Sequence, residues 1–108
     1  MTKASRAVAS AVIAAVALVP LSAPAQAAVA SKSYTKSEVR KHNSAASCWS
    51  IVNGSVYDFT KWIGKHPGGG GVITAICGKN GSAAFNAQHG SAGAANAALK
   101  PYRIGSLK

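Results

Sequence analysis

His66-Pro67-Gly68-Gly69, answered by a second histidine at position 89, is the stretch on which the reading of this chain turns. Imidazole offers a neutral nitrogen to transition metals near neutral pH, and two such rings can approach one metal from two sides. Pro67 fixes φ directly after the histidine. The glycines behind it are free to take positive φ and present no side chain to a flat ligand. A mobile linker has no need of that proline, so the pattern predicts an ordered turn at the edge of a metal-holding pocket.

The chain divides near its start. Lys3 and Arg6 precede an apolar run from Ala7 to Leu21, and Ala25-Gln26-Ala27 follows with a small-x-small pattern. That is the layout of a cleaved secretory signal, so residues 1–27 are expected to leave the folded domain and the rest to be secreted or extracytoplasmic. The run is shorter than the ~20 residues of a bilayer span and is interrupted by Pro20, so no membrane span is expected after cleavage. Removing 27 of the 108 residues leaves 81, and the net charge falls from +10 to +8 as Lys3 and Arg6 depart. One domain of this size, expected to be a monomer, needs a staple or a cofactor to complete its core. Cys48 and Cys77 offer the staple: in an oxidising compartment a disulfide between them is the default reading, with two buried thiols that never meet as the alternative. A zinc site from both cysteines and two histidines is disfavoured, because no close Cys-x-x-Cys or His-x-x-x-His pair anchors it.

Residues 28–33 read as a flexible leader and 34–108 as a single domain. Thr35-Lys36-Ser37-Glu38 matches a capping box and predicts a helix to about His42. From Trp49 to Phe59 the pattern is that of strands, folding at Asn53-Gly54, the dipeptide best suited to a two-residue type I′ turn. Asp58 is placed to cap a short helix in which Phe59, Trp62 and Ile63 fall at i, i+3 and i+4, ending at Gly64. Val72, Ile73, Ile76 and Cys77 line one side of a second short helix, broken by Gly78 and Lys79-Asn80-Gly81. Ser82 is expected to cap a third, in which Phe85 and His89 sit at i and i+4 and point the same way. An alanine-rich helix spans roughly Ala92 to Leu99, Pro101 stops it, and Tyr102 to Leu107 alternates like a closing strand.

Elimination narrows the metal chemistry. The only methionine is Met1, inside the expected signal, so a His/Met haem arrangement is excluded; no Cys-x-x-Cys-His exists for covalent haem attachment. That leaves His42, His66, His89, the two cysteines and Tyr34, Tyr57 and Tyr102 as donors. His42 ends a lysine-rich helix, where a cation favours the dipole, and reads as structural. Trp49 reads as core. Pro-Gly-Gly attached to His66 and Phe85 one turn before His89 point to these two histidines as axial ligands. Large apolar residues are few after the signal, so a bound haem would fill a core that the side chains leave thin.

From about Tyr34 to Leu107 the chain resembles cytochrome b5 domains. The likeness rests on Cys48-Trp49 opening a strand, Val56-Tyr57-Asp58-Phe59-Thr60-Lys61, His66-Pro67-Gly68-Gly69, then Phe85 and His89, with Ile104-Gly105 near the end. The resemblance implies an α+β fold, a small mixed sheet with short helices forming a haem pocket. It further implies noncovalent haem b, axial ligands His66 and His89, the turn Pro67, Gly68 and Gly69 at the haem edge, and a wall of Phe59, Trp62, Val72, Ile73 and Phe85. The chain departs from the family at Gly70 and Gly71, where acidic residues are common, and its expected mature part has only Glu38 and Asp58 as acids. The usual acidic docking face is not written here.

Two axial histidines leave no open coordination position, which favours electron transfer over oxygen activation. Two carboxylates with capping roles are poor material for acid/base catalysis, so the expectation is a one-electron carrier and not an enzyme. Its partner would be a reductase or acceptor with an acidic face, steered by lysines such as Lys65, Lys79 and Lys100, which are alternatively placed to pair with haem propionates. An exported haem-delivery protein without a redox partner is the alternative. A nucleic-acid binder is disfavoured by the lack of an Arg-rich or aromatic-interleaved stretch, and a haem-free interaction module by the presence of both histidines.

Overall fold

The computed structural model describes residues 32–108; the expected signal and residues 28–31 of the leader lie outside the described residues. Strand β1 is Ser33–Tyr34, beginning one residue before the predicted domain boundary. It is held because the carbonyls of Lys32 and Tyr34 accept from the N–H groups of Ser106 and Lys108, both at 2.9 Å. The end of the leader is therefore paired backbone.

Thr35 starts helix α1 (Lys36–Arg40) through both halves of a capping box: its Oγ1 accepts from Glu38 N–H at 3.1 Å and its own N–H donates to Glu38 Oε1 at 2.7 Å. The helix buries Val39 and gives way to β2 (Asn43–Ser44). Between them His42 stacks on Trp49 with ring centres 3.6 Å apart, and its Nδ1 lies 2.7 Å from Ser47 Oγ, a structural role as the sequence indicated.

Strands β3 (Ser47–Val52) and β4 (Ser55–Asp58) form the predicted hairpin. Asn53 and Gly54 at its tip both take positive φ, +49° and +84°, the requirement of a type I′ turn. Further on come α2 (Gly71–Thr74), α3 (Ser82–His89) and α4 (Gly93–Leu99), then a 3₁₀ turn (Lys100–Tyr102) that takes up Pro101, and the closing strand β5 (Arg103–Leu107). The sheet order is β1-β5-β4-β3-β2, with β1 parallel to β5 and the other pairs antiparallel. This is the small mixed sheet with short helices that was expected.

Strand alternation assigns the two faces. Cys48 and Val52 point to a cluster with Phe59, Ile73, Cys77 and Leu99, on the side of the later helices. Ile51 and Val56 point the other way, to Val39, with Tyr34, Trp49, Ile104 and Leu107 packed around them. Trp49 is thus half-buried core.

Two local expectations differ. The helix proposed after Asp58 is only a turn: Phe59 N–H still bonds the Cys48 carbonyl at 2.7 Å, extending the sheet, and Gly64 follows before a second helical turn can form. Asp58 does accept from the Thr60 N–H, at 3.0 Å, as a cap would. Ser82 does not cap α3, because its hydroxyl accepts from Asn53 N–H at 2.8 Å; Asn80 Oδ1 instead receives the Ser82 N–H.

Cys48 and Cys77 are joined in a disulfide, Cα atoms 4.6 Å apart, beneath the helical side of the sheet. It closes a separation of 29 residues and ties β3 to the segment after α2. Loop-closure entropy assigns it about 3.5 kcal/mol. Replacing both cysteines by alanine is expected to lower the unfolding free energy by about that amount, read from the urea midpoint of the otherwise unchanged chain.

Candidate functional site

The segment from Phe59 to Gly69 is built of successive turns, and each delivers a side chain to one side of the sheet. Trp62 N–H bonds the Phe59 carbonyl, Lys65 N–H the Trp62 carbonyl, and Gly69 N–H the His66 carbonyl at 3.0 Å. The last of these turns has proline at its second position and Gly68, φ +89°, at its third, the pattern of a type II turn. Gly69 follows at φ +109°, which aims its carbonyl back at the histidine ring, and His66 Nδ1 lies 2.9 Å from that oxygen. A carbonyl can only accept, so Nδ1 is the donor, and in the neutral ring Nε2 is the nitrogen that keeps its lone pair.

His89 arrives from the opposite wall as the last residue of α3, stopped by Gly90 at φ +53°. Phe85 lies one turn earlier, its ring centre 5.0 Å from that of His89. The two imidazoles face each other across a cleft with ring centres 6.4 Å apart and planes at 73°. Trp62 meets the His66 ring edge-on at 5.7 Å and rests on Tyr102 at 5.2 Å.

The cleft between these walls measures about 780 Å³. Of the residues anticipated from sequence, His66, His89, Phe59, Trp62, Pro67, Gly68, Val72, Ile73 and Phe85 line it. Gly69 does not; it acts through the carbonyl that holds His66. Val72 is 61% exposed, at the mouth. Sequence reasoning missed Val52 and Ile76 in the lining, Gln88 beside His89, and one whole wall made by Ala94, Ala95, Ala98 and Leu99 of α4. Their spacing, i, i+1, i+4 and i+5, is that of one helical face, and alanines on such a face leave room where larger side chains would close it.

Apart from the two histidines, no residue of the lining carries an ionisable side chain. Both acids of the described residues are engaged elsewhere. Glu38 serves the capping box, where the hydrogen bond from the Thr35 backbone N–H holds its carboxyl below the usual glutamate value. Asp58 Oδ1 accepts from Thr60 N–H and from its hydroxyl at 2.6 Å.

Residues 35–108 match the family described as Cytochrome b5-like Heme/Steroid binding domain. The chain belongs to this family. Among solved structures, cytochrome b558 of Ectothiorhodospira vacuolata, described as a prokaryotic homologue of cytochrome b5, is similar with TM-score 0.64 and 32% identity, over 70% of this chain and 98% of that one. Cytochrome b5 of Ostreococcus tauri virus 2 gives TM-score 0.62 and 31% identity, over 68% of this chain and 94% of that one. Among curated relatives, a nitrate reductase [NADH] of Brassica napus is 47% identical over 78 residues, 72% of this chain but 8% of the relative. The Delta(5) fatty acid desaturase A of Dictyostelium discoideum is 38% identical over 79 residues, 73% of this chain and 17% of the relative. The chain therefore spans less than a fifth of these larger proteins.

The cytochrome b5-like turn offers a test of opposite signs. A Cβ on Gly69 would meet nothing within 4 Å, so Gly69→Ala acts only through its positive φ and is expected to cost about 1 to 3 kcal/mol of stability. Gly71 opens α2 in ordinary helical backbone with equally free space, so Gly71→Ala is expected to stabilise by up to about 1 kcal/mol. Paired urea unfolding curves measure both.

Proposed function

We propose that this domain binds haem b noncovalently between His66 and His89 and serves as a one-electron carrier. The observation that carries the reading is the pair of imidazoles 6.4 Å apart, His66 having its Nε2 left free by the bond to Gly69. Metal–imidazole bonds of about 2 Å on opposite sides of one atom place ring centres roughly 6 to 6.5 Å apart. Among the described residues no group of three or more His, Cys, Asp or Glu side chains could hold an ion. A metal here takes its remaining ligands from its own macrocycle. The family description covers haem and steroid ligands, and two facing imidazoles in an apolar cleft favour the haem.

Haem iron supplies a reversible one-electron couple. The chain contributes the rest. His66 and His89 would hold the iron from its two sides and would leave no position for oxygen. Gly69 fixes the tautomer and plane of His66 through its carbonyl and raises the basicity of the ring. Phe59, Ile73, Phe85 and Leu99 exclude water, and with no carboxylate in the lining the only ionisable groups there are the two histidines, which the iron would occupy. The domain is a carrier and not an enzyme in its own right. Nitrate reductase [NADH] and the desaturase are far longer proteins, and only the part this chain spans is carried over from them.

Export after cleavage of residues 1–27 rests on the basic start, apolar run and Ala25-Gln26-Ala27. The exported domain works with a partner that presents an acidic face, because residues 32–108 hold ten lysines and arginines against two acids.

The purified chain reconstituted with haem is expected to show a six-coordinate low-spin spectrum in both oxidation states, lost in His66→Ala and in His89→Ala. Retention of that spectrum by either variant would remove the ligand assignment. Haem transfer to an apoprotein, with no reductase able to reduce the iron, would replace the carrier by a haem-delivery protein. Electron transfer to an acidic partner is expected to slow as ionic strength rises from about 0.01 to 0.5 M, where the Debye length shrinks several-fold; a rate indifferent to salt would dismiss the charge steering.

A further inference from the structure

Helix α3 holds His89 at its last position, yet none of its residues is fully buried. Phe85 packs on the core cluster and Gly81 N–H, just before the helix, bonds the Ile51 carbonyl, while the side-chain bonds between the helix and the hairpin are polar. Asn53 Nδ2 donates to Asn86 Oδ1 at 3.0 Å, and Asn86 Nδ2 donates to Asn53 Oδ1 at 2.9 Å, a reciprocal amide pair across 33 residues. Beside it, Asn53 N–H donates to Ser82 Oγ at 2.8 Å. Three bonds thus tie the first two turns of α3 to the tip of the β3–β4 hairpin, where Asn53 and Gly54 lock the turn at positive φ. Asn86 lies three residues before His89, on the adjoining turn of the same helix.

We propose that Asn53 and Asn86 are positioning residues for His89, setting how far α3 advances toward His66 and how it is rotated, and hence the plane of the His89 imidazole. This rests on the bis-histidine reading above. Two antiparallel amide bonds define both distance and rotation. The apolar contact of Phe85 is non-directional and tolerates sliding. Ser82, whose hydroxyl would ordinarily cap the helix, is committed to the same junction.

Substitution separates position from helix formation. Alanine is a better helix former than asparagine, so Asn86→Ala favours α3 as a helix while removing its register. Asn53→Gly keeps a residue suited to positive φ and deletes only the amide.

The full chain loaded with haem, as parent, Asn86→Ala, Asn53→Gly and the double variant, is compared by rate of haem loss to an apoprotein acceptor and by the electron paramagnetic resonance g-values of the ferric form, which report the angle between the imidazole planes. Hydrogen exchange of the α3 amides in the haem-free chain gives a readout independent of the cofactor. Each single variant is expected to lose haem about tenfold faster, with shifted g-values and faster α3 exchange, and the double variant to be no worse than the worse single, as for one shared interaction. Parent-like rates and g-values in both single variants, or effects that multiply in the double, would overturn the positioning role. His89→Ala is the control: loss of the six-coordinate spectrum there with no change in the asparagine variants defeats only the positioning proposal, whereas its retention defeats the ligand reading beneath it.

Discussion

Two imidazoles held apart across a space that the chain does not fill is the constraint on which the structure depends. A domain of this size has little core to spare, and its helical side gives about 780 Å³ to a cleft. The elements around that space are short: α2 has four residues and α4 seven. Isolated helices of such length are not stable in water, so they persist only by packing on something. The sheet and the disulfide supply one side of that packing. A ligand supplies the other, and by binding only the folded state it adds to stability in proportion to its affinity.

The disulfide is placed where this shortage is greatest. Cys48 comes from β3 and Cys77 from the end of the segment that begins at the His66 turn, and both sit in the cluster that floors the cleft with Val52, Phe59 and Ile73. Constraining the unfolded chain there substitutes for apolar area that the floor does not possess. The opposite face of the sheet has no such need. Val39, Ile51 and Val56 are completed by Tyr34, Trp49, Ile104 and Leu107 without any cofactor.

Much of this was legible from residues alone because it is local. The capping box at Thr35, the type I′ turn at Asn53-Gly54 and the turn after His66 are each decided within four residues, and each formed as its chemistry required. The failures were non-local. The segment after Phe59 bends in single turns and is cut short at Gly64, with Phe59 N–H still bonded to the Cys48 carbonyl of the sheet, and Ser82 did not cap α3 because its hydroxyl had a partner 29 residues away. The alanine wall of α4 was visible as a helix but not as a wall. Alanines announce where volume is missing only once something is known to stand opposite them.

Charge separates what the family fixes from what this chain chooses. The lining of the cleft carries no ionisable side chain apart from its two histidines, whereas the rest of the chain is strongly basic. Glu38 and Asp58, the two acids of residues 32–108, are each held by neighbouring backbone and hydroxyl donors. With ten lysines and arginines against two acids, residues 32–108 carry a formal net charge of +8 (10 − 2). Under the carrier reading proposed above, long-range charge would govern the encounter with a partner, while the lining of the cleft would hold the cofactor.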